Sequence, residues 1–157
     1  MLSDEERREI EEEIRHYGQK RAACVEALMC VQRRRGWVDD ETLGEVANIL
    51  GMRVDELDGI ATFYNLIFRR PVGKNVILIC NTISCMVMGY ERILAHLEKR
   101  LGIRLGHTTA DGLFTLLPVP CLGACDRSPV MMVGERLFPG LTPESVDEIL
   151  REHGWRG

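Results

Sequence analysis

Residues 76–85 read VILICNTISC, and the fold follows from how this stretch begins and how it ends. Val76 to Ile79 is an unbroken run of β-branched and leucine side chains, the pattern of a strand buried on both faces. A helical stripe follows at Tyr90, Ile93, Leu94, Leu97 and Leu101, within a helix from about Gly89 to Leu101. The turn signal Asp111-Gly112 then opens a second strand, Leu113 to Val119. Strand, helix, strand predicts a parallel pair with a right-handed crossover. Parallel strands end on the same edge of their sheet. Cys80 directly follows the first strand, and Cys121 follows the second. Two cysteine pairs, Cys80 with Cys85 and Cys121 with Cys125, are therefore expected on short loops at one edge, where open α/β sheets bind their ligands.

The remaining elements complete a recognisable skeleton. Val130 to Val133 and Arg136 to Phe138 read as a hairpin around Gly134-Glu135. Thr142-Pro143 places an N-cap and a first-turn proline before a last helix through Val146, Ile149 and Leu150. From 71 to 157 the order is β-α-β-β-β-α, a thioredoxin-like domain that starts at the turn Arg70-Pro71-Val72-Gly73. Residues 1–70 read instead as a helical domain. Ser3 and Glu6 fit a capping box, opening a helix with Ile10, Ile14 and Tyr17 on its buried stripe. A second helix carries Val25, Leu28 and Met29 and stops near Gly36. A third runs through Leu43, Val46, Ala47 and Leu50 between an aspartate cap (Asp39 or Asp40) and Gly51. A fourth has Leu57, Ile60, Ala61 and Tyr64 on one face. The fold class is α/β: an N-terminal helical bundle followed by a thioredoxin-like domain.

Composition narrows the function. In 157 residues, 45% are apolar and 28% charged, enough to bury a core without disulfides. The net charge of −4 offers nucleic acid no general attraction. Arg33, Arg34 and Arg35 sit at a helix end, where they suit the helix dipole better than phosphate. No segment approaches the ~20 apolar residues of a membrane span, so no direct membrane insertion is expected. The acidic start, MLSDEERREIEEE, resembles neither a secretory signal nor an organelle presequence. A cytoplasmic location is expected, where closely spaced cysteines bind metal or do redox chemistry rather than form structural disulfides.

The spacings C-x4-C and C-x3-C fit an iron–sulfur cluster better than zinc, which favours C-x2-C knuckles. A dithiol oxidoreductase also wants C-x2-C. A thiolate-held cluster is anionic and gains charge on reduction. The free N–H groups of a following helix and the hydroxyls of Thr82 and Ser84 would stabilise it and tune its potential. Gly123 permits the tight second loop. Cys24 and Cys30 read as helix residues partly in the core. His16, His96, His107 and His153 form no ligand pair and are expected at the surface. Met86, Met88, Met131 and Met132 are expected to pack around the site and exclude water.

At these residues a family resemblance enters. CNTISCMVMGYERIL (80–94) and FTLLPVPCLGACDRSPVMMV (114–133), with RRRGWVDDETLGEVANILG (33–51) and IATFYNLIFRRPVGK (60–74), resemble the thioredoxin-like [2Fe–2S] E subunit of respiratory NADH:quinone oxidoreductase, complex I. The resemblance spans roughly 21 to 150. It implies that Cys80, Cys85, Cys121 and Cys125 ligate one [2Fe–2S] cluster. It also implies that the helical half docks on a flavoprotein subunit carrying FMN and the NADH site, peripheral on the cytoplasmic side of the inner membrane. Two departures touch the potential and not the ligands: Pro120 stands where many relatives carry an acidic residue, and Thr82-Ile83-Ser84 is a less usual first loop. The same module occurs in soluble NAD-linked hydrogenases and formate dehydrogenases. A zinc-stabilised, non-redox adaptor is the alternative of another class. The chain carries no G-x-G-x-x-G after a strand, so no NADH site of its own is expected.

Overall fold

The computed structural model describes all of residues 1–157. The chain divides into two compact units, Met1–Pro71 and Val72–Gly157.

The first unit is helical: α1 (Asp4–Tyr17), a 3-10 turn (Lys20–Ala23), α2 (Cys24–Arg35), α3 (Asp40–Leu50) and α4 (Val54–Phe63). Local chemistry sets the boundaries. Ser3 and Glu6 close a reciprocal capping box on α1, and Asp39 accepts the Thr42 N–H to start α3. Gly36 and Gly51 end α2 and α3 at φ 83° and 65°, where a side chain would strain the backbone. Ile10, Leu28, Leu43, Leu50 and Leu57 are fully buried, and Cys24 and Cys30 lie in the same core.

Two expected core residues are exposed. Burial fades along the α1 stripe, from Ile10 through Ile14 to Tyr17, because the end of the helix runs past the core. Tyr64 follows the end of α4 in extended conformation, so helical phase no longer governs it. The arginine run does more than complement a dipole. Arg34 pairs with Glu5 at 2.8 Å and with Glu9. Arg35 grips both oxygens of Glu6 at 2.6 Å and donates to Thr42 at 2.9 Å, tying α1, α2 and α3 together. Glu6 is buried, and this guanidinium lowers its pKa from the ordinary 4.5 to about 2.

The second unit runs β1 (Asn75–Cys80), α5 (Ile83–Val87), α6 (Tyr90–Leu101), β2 (Phe114–Val119), a 3-10 turn (Cys125–Arg127), β3 (Met131–Val133), β4 (Arg136–Phe138) and α7 (Pro143–Glu152). The sheet order is β2-β1-β3-β4. β1 pairs in parallel with β2 and antiparallel with β3. It is buried from Val76 to Cys80, as its unbroken apolar run requires. Ile77, Ile79, Ile93, Leu97, Phe114, Leu116, Met131, Val146 and Leu150 share one core. A Cβ on Gly73 would meet the backbone of Phe114 and Gly112 at 2.9–3.0 Å, and the Gly73 N–H donates to Thr115 Oγ1 at 2.6 Å. Only glycine permits this approach.

His96 is not a free surface group. Its Nε2 lies 2.7 Å from Asp147 of α7, which also holds Arg100 at 2.6 and 3.0 Å. One carboxylate thus binds two side chains of α6 and pins the closing helix to it.

Candidate metal centre

Cys80 is the last residue of β1 and faces Val119 of β2 in register. Its N–H donates to the Val130 carbonyl at 3.1 Å, and the Asn81 N–H donates to the Val119 carbonyl at 3.2 Å. The end of the strand is therefore held from both sides. Thr82 then stands at the N-cap of α5 without capping it through its side chain. Its hydroxyl lies 3.2 Å from Cys80 Sγ instead. The sequence placed Cys85 on a loop, but it lies within α5. That helix is five residues long, too short to print a periodic stripe. Cys80 and Cys85 are 2% and 1% exposed.

The second pair is built differently. β2 ends at Val119, and Gly123 turns the loop at φ 80°. The Gly123 N–H donates to Cys121 Sγ at 3.3 Å. Cys121 Sγ and Cys125 Sγ are 3.3 Å apart, and both residues are exposed. Cys125 opens the 3-10 turn, which the Arg127 N–H closes on the Ala124 carbonyl at 3.0 Å.

Ser128 stands between the two pairs, and its Oγ donates to the Cys125 carbonyl at 3.0 Å. Ser128 Oγ lies 3.5 Å from Cys85 Sγ. Burial works to raise the Cys80 thiol, but the Thr82 hydroxyl and amide, the Cys85 thiol and the Leu122 amide hold it below its ordinary value. Burial pushes Cys85 up despite Ser128, and nearby Cys80 adds to the rise. The Cys121 sulfur pushes Cys125 up. Thiolates gathered this closely oppose one another's ionisation, and positive metal would relieve that.

The structure thus brings Cys80, Cys85, Cys121 and Cys125 to one sheet edge, with the Thr82 hydroxyl among them. Met131 is buried, but Met86 and Met88 are exposed. They point away from the core because the short α5 has only one packed face. Ser128 escaped sequence reading. The signal for Ser128 is its place three residues after Cys125 in the DRSPV stretch.

The fold and these paired thiols define a class: a thioredoxin-like sheet carrying a four-cysteine edge. Residues 10–154 match the family described as thioredoxin-like [2Fe-2S] ferredoxin, and the chain belongs to that family. Among curated relatives, the E subunit of the NADH-quinone oxidoreductase of Escherichia coli (strain K12) is 49% identical over 152 residues, covering 97% of this chain and 92% of that protein. Its counterpart from Pseudomonas aeruginosa is 44% identical over 153 residues, covering 98% and 92%. Among solved structures, NAD+-reducing [NiFe]-hydrogenase in the air-oxidized state superposes with TM-score 0.72 at 22% identity, over 83% of this chain and 22% of that one. That likeness shows the shared fold.

The residues present fit the family's [2Fe–2S] group. Four free cysteine thiols, the ligand type that holds iron–sulfur clusters, stand on two segments at one sheet edge. Cys80 with Cys85 and Cys121 with Cys125 would hold the group, two sulfurs from each segment. N–H and O–H donors face them, as an anionic cluster needs.

Proposed function

We propose that Cys80, Cys85, Cys121 and Cys125 hold one [2Fe–2S] cluster. The chain then acts as the E-type electron-transfer subunit of an NADH:quinone oxidoreductase, exchanging electrons with the FMN of a partner flavoprotein subunit. The observation that carries this reading is the joining of the two cysteine pairs at one sheet edge: Cys80 is in register with Val119, and Ser128 touches Cys85 Sγ at 3.5 Å and the Cys125 carbonyl at 3.0 Å. When bound, the cluster supplies one-electron storage and relay. The chain's own part is to hold the sulfurs, to aim N–H and O–H dipoles at them, and to shield the Cys80–Cys85 side from water.

The sequence offers no dinucleotide fingerprint, so NADH and quinone are assigned to other subunits. Exposed apolar side chains support docking. Ile83 and Val87 are 77% and 76% exposed on α5 beside the inner pair, and Phe63 is 80% exposed at the end of α4. Such surfaces suit burial against a partner. No helix is long and apolar enough to cross a membrane. A peripheral position on the cytoplasmic side, within the larger complex, is part of the proposal.

The hydrogenase superposition favours one second reading, the same module in a soluble NAD-linked hydrogenase. Co-purification separates the two: membrane-arm subunits support the first, and a nickel–iron subunit supports the second. Iron and acid-labile sulfide in equal amounts, with an EPR signal that appears on dithionite reduction, are the expected results for the cluster. A colourless chain carrying one zinc would overturn it and favour the adaptor.

A further inference from the structure

Ser128 has one hydroxyl proton and two neighbours that can take it. In the thiol form, the Cys85 S–H donates to Ser128 Oγ at 3.5 Å. Ser128 Oγ in turn donates to the Cys125 carbonyl at 3.0 Å. One side chain, itself buried, thus touches a cysteine of each pair. Metal binding changes this relay. Cys85 would release its proton to solvent on ligating iron, and the hydroxyl oxygen would then face an anionic sulfur with its lone pairs. Turning the O–H toward the sulfur removes that repulsion and adds a charge-assisted hydrogen bond. The Cys125 carbonyl gives up its partner cheaply, because Cys125 is exposed and water can replace it.

We propose that Ser128 is a positioning residue of the cluster: its hydroxyl turns from the Cys125 carbonyl to the Cys85 sulfur on loading and raises the reduction potential. This rests on the ligand assignment above. A donor to a cluster sulfur stabilises the more negative, reduced state more than the oxidised state. Its loss moves the potential downward. Ser128 acts on the buried side, where water cannot substitute for the lost donor.

The test is an EPR-monitored redox titration of the loaded full chain in wild-type, Ser128→Ala, Ser128→Gly and Ser128→Thr forms. Ala and Gly are expected to load iron as wild type does and to titrate at more negative potential. Thr, which keeps the hydroxyl, is expected to return the wild-type value. If only the hydroxyl-bearing forms load, Ser128 is needed for assembly and the claim that it sets the potential is overturned. Wild-type potential in Ser128→Ala or Ser128→Gly, or equal loss of loading in all three variants, would overturn the proposal. An iron-free wild type would instead overturn the ligand assignment, so the two failures are distinguishable.

Discussion

Cys80 and Val119 are direct partners across the parallel β1–β2 ladder, and Cys121 lies two residues beyond Val119. This register, rather than nearness in sequence, carries both cysteine pairs to one edge. Residues 41 positions apart share a sheet edge because the helical crossover returns the chain to a strand parallel to the first.

Cys121→Ala is expected to abolish or severely weaken the cluster. It removes one of the two sulfurs that stand 3.3 Å apart on the exposed loop. Cys24→Ala, buried in the helical unit, should leave the cluster intact. Visible absorption and reduced-state EPR on oxygen-protected protein check both. A full-strength native spectrum in Cys121→Ala would refute the ligand set.

Thr82→Val keeps the side-chain volume and removes the hydroxyl 3.2 Å from Cys80 Sγ. If the hydrogen bond favours the reduced cluster by about 1 kcal/mol, the potential falls by roughly 40 mV for one electron. A potentiometric titration reads this directly.

Glu6 gives the helical unit an acid-sensitive lock. Arg35 lowers its folded pKa from 4.5 to about 2, so the native state favours the ionised carboxylate. The stabilisation is fully present above the unfolded pKa and is lost as pH falls through the folded one. Between pH 4.5 and about 2, the unit should lose on the order of 3 kcal/mol through this group. Glu6→Gln should be less stable at neutral pH and flatter across that window. Hydrogen exchange of amides in Met1–Pro71, compared between the two proteins, measures the difference.

Gly73→Ala should destabilise the second unit by about 1–3 kcal/mol. The new methyl would press on Phe114 and Gly112 backbone atoms at 2.9–3.0 Å, and backbone gives little. A lowered denaturation midpoint with an unchanged slope is the expected result.

The sheet edge was legible because it depends on local signals: the apolar run Val76 to Ile79, the Asp111-Gly112 turn and the chirality of the crossover. Capping chemistry at Ser3, Asp39 and Thr142 fixed helix starts in the same way. What sequence missed depends on tertiary neighbours. Tyr17 and Tyr64 have the right period but lie where the core has ended. Met86 and Met88 flank the cysteines in sequence yet face outward. His96 carries no sign of Asp147, which comes 51 residues later in the chain. Ser128 is one hydroxyl among many until the fold sets it beside Cys85.

The exposure of the two pairs divides the centre into unequal halves. Cys80 belongs to the strand laddered on both sides, so freeing it means breaking β1 away from β2 and β3. Cys121 and Cys125 ride on a loop that can breathe while the sheet stays intact. Opening of the loop is therefore separable from global unfolding in this chain. A thiol reagent or oxidant is therefore expected to meet Cys121 and Cys125 before Cys80 and Cys85.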